Sequence, residues 1–342
     1  MQTVADAAGV SRGAVSQILA NPEHPRFPEA TRERVRAAVR RLRYRPNHAA
    51  QTLRSGRSRL IGLVTPWNVP ELIDSVERAT SGHGYRTMLQ FTLGRDAKAE
   101  LNALHAAIDR GVDGILWLPA NPANPDKEVL GRIRESGVRV VFLERLLQEC
   151  PFAHDAVTVD MAGPLFDRID RLGADSHDEV IAAVHRRFHE IWGADAEAFK
   201  ARLEAHDRPG RIVTLSGDAP ARENADKLLA ELTPGKRALV ICFIEWVAVR
   251  LTQEAAKRGL RIPEDFGLIT FGDFLIGSEF RSCEITRPPV TALRRPYDEI
   301  GRKAVALLVR RLEAPAGETP PGRVASLPGV WIERESTAPI RL

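Results

Sequence analysis

From residue 60 onward, short apolar segments alternate with amphipathic helical segments, and this alternation constrains the fold of the 342-residue chain more than any other feature. It predicts parallel sheets with helices on both faces. Nine or ten strands fit two such sheets better than one. The candidate strands lie at 60–64, 86–91, 114–118, 138–143, 157–160, 180–184, 211–215, 238–242 and 266–270, and the helical segments at 70–81, 98–110, 126–136, 221–232 and 244–257.

The first 60 residues differ from the rest in their charge. They contain twelve arginines, no lysine and four acidic residues, which gives a net charge of +8. The whole chain carries +4, so the remainder carries −4. A basic segment attached to a mildly acidic body predicts a module that binds a polyanion such as nucleic acid.

Two short helices joined by a turn are expected within this basic segment. The first covers about 4–8, Gly9 makes the turn, and Ser11 is a suitable N-cap for a second helix that ends near residue 19. At about 100° per residue, one side of the second helix is polar and the other is apolar. The polar side carries Arg12, Gly13, Ser16 and Gln17, and the apolar side carries Ala14, Val15, Ile18 and Leu19.

This arrangement is typical of a helix-turn-helix, although an ordinary surface helix would give the same pattern. Arginine can bind the guanine edge with two hydrogen bonds, glutamine can do the same with adenine, and serine suits a phosphate oxygen. The sequence therefore predicts that Arg12 and Gln17 read bases in the major groove of DNA.

A third helix is predicted after a turn-rich stretch, with Pro28 and Glu29 in its first turn and apolar residues at helical spacing from Val35 to Leu42. Its other faces are mostly arginine, which indicates either a solvated face or a DNA contact. Residues 47–54, after Pro46, could form only about two helical turns, which is marginal in isolation. They are either a flexible basic linker or a helix that orders on DNA and inserts Leu53 between base steps.

At these residues the sequence resembles the LacI-type family of bacterial transcription regulators, which includes the lac and galactose repressors. The motifs are VADAAGVSRGAVSQILAN at 4–21, TRERVRAAVRRLRYRPNHAAQTLRSGRS at 31–58, LIGLV at 60–64, GVDGILWL at 111–118, RGLRIPEDFGLITFGD at 258–273, RPPVTALRRPYDEIGRKAVALL at 287–308 and IERESTA at 332–338. The resemblance covers nearly the whole chain and is most specific in the first sixty residues.

The resemblance implies a small all-α helix-turn-helix head and an α/β, two-lobed, periplasmic-binding-protein-like body with two parallel, doubly wound sheets. The expected domains are the head at 1–45, a hinge helix and linker at 46–59, and the body at 60–342. The first lobe takes 60–160 and 291–325, and the second takes 161–290 and 326–342. A homodimer whose paired heads read a pseudo-palindromic operator in double-stranded DNA is also implied.

The resemblance assigns roles in DNA binding residue by residue. Base reading falls to Arg12, Gly13 and Gln17, backbone contacts to Ser11, Ser16, Asn21 and Thr31, and the hinge helix to Asn47, Ala50 and Leu53. Two features depart from the family. The usual threonine cap of the first helix is missing, so Thr3 is expected to cap a shortened helix unless the true start lies upstream, and the loop after Asn21 is about two residues longer.

Ligands of open α/β sheets bind beyond the carboxyl ends of the strands. That rule predicts an effector site lined by Thr65, Trp67, Glu144, Arg145, Asp160, Glu245, Trp246 and Asp273. The resemblance adds Arg187. Trp67 and Trp246 could each stack on a sugar or a base, or could equally belong to the core.

Several polar anchors of the family's sugar site are altered in this chain. Ile244-Glu245 replaces a common Asn-Asp pair, Thr270-Phe271-Gly272-Asp273 replaces Gly-Phe-Asp-Asp, and Arg187 lacks the glycine that follows three residues later. The sequence therefore predicts an unusual effector or the absence of one.

The expected function is a sequence-specific transcriptional repressor controlled by a small-molecule effector, with carbohydrates among the candidates. The alternatives are a DNA-binding regulator or architectural protein without effector response, and a ligand-binding protein without a regulatory role. The sequence contains no GxxxxGK[ST], GxSxG or HExxH motif, so no enzyme and no cofactor are predicted. His185 and His189 have metal-binding spacing but lack a third ligand.

The sequence also indicates a cytoplasmic location. It shows no secretory signal and no apolar run long enough to span a membrane. Its three cysteines, Cys150, Cys242 and Cys283, are far apart and form no disulfide framework, which fits a reducing compartment.

Overall fold

The computed structural model describes residues 1–44, 56–92, 97–120, 122, 125–147, 149–171, 177–185, 196–205, 210–216, 219–277, 279–315, 318 and 320–337. The chain divides into two compact units, Met1–Ser58 and Arg59–Leu342. The first is called the head and the second the body.

Three helices form the described part of the head: α1 (Gln2–Ala8), α2 (Arg12–Ala20) and α3 (Glu29–Arg41). Gly9 ends α1 in the left-handed conformation with φ of 63°. Ser11 caps α2, because its hydroxyl oxygen accepts a 3.1 Å hydrogen bond from the Ala14 amide. The prediction that Thr3 caps α1 is wrong, since α1 begins at Gln2 and Thr3 lies inside the helix.

The head has its own small hydrophobic core. Val4, Val15, Ile18 and Val35 are at most 1% exposed and come from all three helices. Each helix buries one stripe of side chains, as amphipathic helices do. The polar side of α2 is consequently left at the surface.

The body alternates strands and helices, as the sequence predicts. Its strands are β1 (Leu60–Thr65), β2 (Arg86–Phe91), β3 (Gly114–Trp117), β4 (Arg139–Glu144), β5 (His154–Asp160), β6 (Glu179–His185), β7 (Gly210–Leu215), β8 (Ala238–Cys242), β9 (Phe266–Phe271), β10 (Leu275–Ile276), β11 (Phe280–Arg281), β12 (Thr291–Arg294), β13 (Val324–Pro328) and β14 (Val330–Ile332). Its helices are α4 (Pro70–Gly82), α5 (Ala97–Asp109), α6 (Lys127–Ser136), α7 (Ala162–Arg171), α8 (Ala196–Ala205), α9 (Ala221–Ala230), α10 (Glu245–Lys257) and α11 (Tyr297–Leu312).

Two six-stranded sheets define two lobes. The first sheet has the order β13-β5-β4-β3-β1-β2, and all of its neighbouring strands are parallel. The second has the order β14-β12-β9-β8-β6-β7 and is parallel except for the β12–β14 pair. A separate antiparallel hairpin is formed by β10 and β11. Hydrophobic clusters cover both faces of each sheet, which explains why the strands are almost continuously apolar.

The chain passes between the lobes at three neighbouring places. They follow β5, β12 and β13, and the Gly329 amide in the third donates a 2.7 Å hydrogen bond to the Asp160 carbonyl in the first. A Cβ on Gly329 would come within 2.8 Å of Met161 Sδ and 2.9 Å of Leu293 Cδ1, so a larger residue here would require these two side chains to shift.

The expected boundaries between the lobes are wrong at two places, and at each of them one short strand segment belongs to the other lobe. Residues 291–294 form β12, which pairs with β9 of the second sheet rather than joining the first lobe. Residues 326–328 belong to β13, which pairs with β5 of the first sheet. Both segments sit at lobe crossings, where the strand with which each segment pairs decides its lobe. Within the described part of the chain, no helix has the length and apolar character needed to cross a bilayer.

Candidate functional sites

The exposed side of α2 is the candidate DNA-reading surface. Arg12, Gly13 and Gln17 are exposed and Ser16 is half-buried, whereas Val15 is fully buried in the head core. This division follows the angles that the sequence predicts. An arginine and a glutamine on the same polar side of a helix can form hydrogen bonds with base edges.

The residues expected to contact the DNA backbone lie at different places around this surface. Asn21 ends α2, and its side-chain oxygen accepts a 3.2 Å hydrogen bond from the Glu23 amide. Thr31 lies half-buried in the first turn of α3. Ser11 uses its oxygen as an acceptor for the cap of α2, which leaves its hydroxyl hydrogen available to a phosphate. Asn47, Ala50 and Leu53 lie outside the described residues.

Ion pairs hold the long loop after α2 against α3. Arg36 Nη2 lies 2.6 Å from Glu23 Oε1 and donates a 2.8 Å hydrogen bond to the Pro22 carbonyl. Arg36 Nη1 also lies 2.6 Å from Glu33 Oε1. Part of the arginine-rich surface of α3 therefore serves the fold of the head, which the sequence analysis did not predict.

The first lobe brings four of the predicted effector residues together at the carboxyl ends of β1 and β4. Thr65 is buried and donates a 2.9 Å hydrogen bond to the Trp67 carbonyl. The Arg145 guanidinium lies 5.3 Å from the centre of the Trp67 ring, a cation–π arrangement. We call these two side chains the platform, in which a positive charge lies over one face of an aromatic ring.

Glu144 stands beside this platform in a strained backbone conformation. Its φ is 62°, its Oε2 lies 2.8 Å from Arg295 Nε, and the residue is only 8% exposed. Its other oxygen, Oε1, is buried and has no hydrogen-bond partner among the described residues. A buried carboxylate oxygen without a donor is costly, so this atom can accept a hydrogen bond from a bound ligand.

Glu100 is a further polar residue of this region that the sequence analysis missed. It comes from α5, is 8% exposed, and its Oε1 accepts hydrogen bonds from Trp117 Nε1 at 2.9 Å and from the Ala120 amide at 2.7 Å. Burial raises the pKa of Glu100, while these two hydrogen bonds act in the opposite direction. In the sequence, the only signal of the hydrogen bond between Glu100 and Trp117 is that Glu100 lies on a predicted helix 17 residues before Trp117.

In the second lobe, Glu245 occupies the first turn of α10 and is 4% exposed. Its Oε1 accepts a 3.0 Å hydrogen bond from the Phe274 amide and a second one from the Ser282 hydroxyl. Its Oε2 is buried without a hydrogen-bond partner among the described residues. Burial and the nearby charges of Asp273 and Glu71 raise the pKa of Glu245 to about 8.

Gly272 makes this placement of Glu245 possible. Its φ is 110°, and a Cβ at this position would lie 2.5 Å from Glu245 Oε2. The glycine in the altered Thr270-Phe271-Gly272-Asp273 segment therefore accommodates the glutamate of the altered Ile244-Glu245 segment. The two departures from the family pattern contact each other.

The other predicted residues, which include Asp160 of the first lobe, have structural contacts or face solvent. Asp273 is 2% exposed, lies 2.6 Å from Arg334 Nη2, and accepts a 3.2 Å hydrogen bond from the Cys283 amide. The Asp160 carboxylate accepts hydrogen bonds from the Ala162 and Gly163 amides at the start of α7. Trp246 is 55% exposed, so it is not a core residue.

The remaining predictions concern the end of β6. His185 is the last residue of β6, so the helix on which the metal-binding spacing depended does not include it. Arg187 and His189 lie outside the described residues. Among the residues that the structure describes, no group of three histidine, cysteine or acidic side chains could hold a metal ion.

The two lobes are joined by ionic and apolar contacts near these residues. Glu71, in the first turn of α4, lies 2.7 Å from Arg281 Nη2 and 3.6 Å from Arg294 Nη1 of the second lobe. Arg281 also donates a 2.7 Å hydrogen bond to the Asp273 carbonyl. Phe274 packs against the core of the first lobe. Glu71, Phe274 and Arg281 are inter-lobe residues that the sequence analysis missed.

Comparison with known proteins identifies the two parts of the chain. Residues 1–47 match the family model of bacterial regulatory proteins of the lacI family, and residues 169–337 match the model of a periplasmic binding protein-like domain. The chain is 30% identical over 359 residues to the HTH-type transcriptional regulator PtxS of Pseudomonas aeruginosa, covering 98% of this chain and 95% of PtxS.

Two further comparisons agree with this. The chain is 28% identical to the ribose operon repressor of Escherichia coli K12 over 331 residues, which cover 92% of this chain and 93% of that repressor. The structure of the lac repressor dimer bound to operator and the anti-inducer ONPF has the same fold, with a TM-score of 0.73, 18% identity, and coverage of 98% of this chain and 97% of that one. The chain therefore belongs to the LacI family of bacterial transcription regulators, with a DNA-binding helix-turn-helix head and a two-lobed effector-domain body.

Proposed function

We propose that this protein is a cytoplasmic repressor that binds a pseudo-palindromic operator as a homodimer and responds to a small molecule held between its lobes. The exposed Arg12 and Gln17 on α2, whose opposite side is fixed in the head core, are the observation that carries this proposal. An anchored helix with such an exposed side has the chemistry needed to read a major groove.

In this proposal the residues divide by role. Arg12, Gly13 and Gln17 face base edges, and the hydroxyl and amide groups around them hold the phosphates; these are Ser11, Ser16, Asn21 and Thr31. Asn47, Ala50 and Leu53 form a hinge helix on DNA, with Leu53 inserted in the minor groove. The hinge connects the heads to the body, so a change in lobe arrangement alters whether the hinge helices can form.

The proposed effector carries several hydroxyl groups. Glu144 Oε1 and Glu245 Oε2 are buried without hydrogen-bond partners among the described residues, one in each lobe. A ligand hydroxyl can donate to the first and accept from the second, which is protonated below about pH 8. The Trp67 ring beside Arg145 can stack on a sugar face. Thr65 and Arg187 complete the proposed contacts, whereas Asp160, Asp273 and Trp246 act through the fold or lie at the periphery.

One observation favours the alternative of a regulator without effector response. Asp273 and one oxygen of Glu245, which the sequence analysis expected to contact an effector, are engaged by the protein's own donors. The compared relatives are transcription regulators, and no catalytic activity is proposed.

Selection from a pool of random duplexes tests the proposed function. Full-length protein should enrich an inverted repeat, since two identical heads related by twofold symmetry read the same half-site. Recovery of sequences without symmetry or preference would contradict the proposal. Thermal-shift screening with neutral sugars and sugar acids tests the effector part, because a ligand that binds the native state raises the melting temperature. No shift with any of them would favour the alternative.

A further inference from the structure

The arginines of α3 lie on two flanks that differ in their ionic partners. Val35 and Ala38 face the core of the head and are at most 3% exposed. We measure the position of each residue around the helix axis at about 100° per residue, with Val35 at 0°. One flank then spans about 60° to 160°, and the other about 240° to 260°. The paired flank carries Glu29, Arg32, Glu33, Arg36 and Arg40, and the open flank carries Arg34 and Arg41.

The paired flank is close to electrically neutral. Arg32 pairs with Glu29 and lies 3.6 Å from Glu23, and Arg36 lies 2.6 Å from both Glu23 and Glu33. The hydrogen bond from Arg32 lowers the pKa of Glu29. Three of the four acidic residues among the first 60 residues are thus used at this flank. The side chains of Arg32 and Arg36 are only 15% and 27% exposed.

The open flank keeps its positive charge. Arg34 and Arg41 are exposed, and neither forms an ion pair within the described part of the chain. The fourth acidic residue, Asp6, accepts a hydrogen bond from Gln2 on α1. Thr31, at about 320° on the same helix, lies nearer to the open flank than to the paired flank.

We propose that Arg34 and Arg41 bind DNA phosphates, whereas Arg32 and Arg36 hold the loop after α2 against α3. This inference rests on the proposed function, in which Thr31 contacts the DNA backbone. An arginine already neutralised by two carboxylates contributes little to the field around the head, while an exposed arginine without one releases counterions when it meets a phosphate.

The salt dependence of DNA binding tests this assignment on the full-length protein. Binding to a duplex of mixed sequence is measured between about 50 and 200 mM KCl, and the slope of log K against log salt is compared between variants. Arg34→Gln and Arg41→Gln should each reduce the slope by about 1 per head. Arg34→Lys should retain the wild-type slope, because it keeps the charge.

Arg36→Gln is the matched control, since it changes the net charge by the same amount. It should leave the slope near the wild-type value and lower the melting temperature of the head. A slope unchanged by Arg34→Gln, or reduced equally by Arg34→Gln and Arg36→Gln, would overturn the inference while leaving the proposed function intact. A flat salt response of the wild-type protein would overturn both. If Arg36→Gln fails to fold, the contrast between Arg34→Gln and Arg34→Lys decides the matter.

Discussion

Arg281 of the second lobe donates a 2.7 Å hydrogen bond to Glu71 of the first lobe. This ion pair connects the β10–β11 hairpin to the start of α4, and each of the two side chains is about one-quarter exposed. Arg281 also donates a hydrogen bond to the carbonyl oxygen of Asp273, just before the hairpin. The next residue, Phe274, packs against the hydrophobic core of the first lobe. Any change in lobe arrangement that separates α4 from the hairpin must break this contact.

A double-mutant cycle should detect the coupling between these two residues. Glu71→Gln, Arg281→Gln and the double variant are compared by urea unfolding, and we expect a coupling free energy of about 1–2 kcal/mol. The exposed pair of Arg78 and Asp298, 2.6 Å apart within the first lobe, is the matched control and should give less than about 1 kcal/mol. Equal coupling in the two cycles would refute a special role for the inter-lobe pair.

The raised pKa of Glu245 gives a prediction for stability against pH. The folded state favours the protonated acid up to about pH 8, whereas the ordinary value is 4.5. Between these values the native state binds more protons than the unfolded state, so this group lowers the free energy of unfolding as pH rises. Glu245→Gln should therefore stabilise the body relative to wild type at pH 9, by on the order of a few kcal/mol, and have little effect at pH 5. A stability difference that does not vary with pH would contradict the burial of an acid at this position.

Gly272 should tolerate alanine poorly. Both Gly272 and Gly277 have positive φ values, 110° and 67°, but only a Cβ on Gly272 would clash with Glu245. We expect Gly277→Ala to cost about 1–2 kcal/mol through its backbone alone, and Gly272→Ala to cost more. Thermal unfolding of the two variants measures the difference. Equal losses would mean that the carboxylate of Glu245 moves aside freely.

Asp155 should be essential to the first lobe. It is fully buried, and its carboxylate lies 2.8 Å from Arg311 Nε and 2.9 Å from Arg310 Nη2. Replacement by asparagine leaves the buried Arg311 without a counter-charge, which typically costs about 3–5 kcal/mol. Arg310→Gln, at the more exposed end of the cluster, should cost clearly less in denaturant unfolding. The reverse order of the two losses would be inconsistent with the observed burial.

Local patterns were sufficient for much of this fold. The strands at 86–91 and 238–242 have the bounds expected from their apolar runs, because buried parallel strands are continuously apolar. Likewise, the angles of α2 predict which of its side chains are exposed. β12, β13 and β14 escaped prediction, since they are short and pair with strands that the local sequence does not indicate, such as β5, which lies 168 residues before its partner residues in β13.

The candidate sites show the same limit. Trp67 and Arg145 could be placed near each other because they follow strands β1 and β4, whose carboxyl ends lie at the same edge of one sheet, and the structure brings them into contact. The environment of Glu245 depends on Ser282, 37 residues away, and on the missing side chain of Gly272. Nothing in the local sequence indicates which acid will pair with which arginine, so the neutral flank of α3 was also unpredictable.

The most direct test of the account is the base preference of Arg12→Ala on the operator recovered by selection. If α2 reads bases, the variant should lose about 1–3 kcal/mol of discrimination at one base pair in each half-site and keep its preference elsewhere. Uniform weakening on every sequence, with the base preference unchanged, would show that Arg12 contacts only phosphate and would contradict the claim that this helix is the reader.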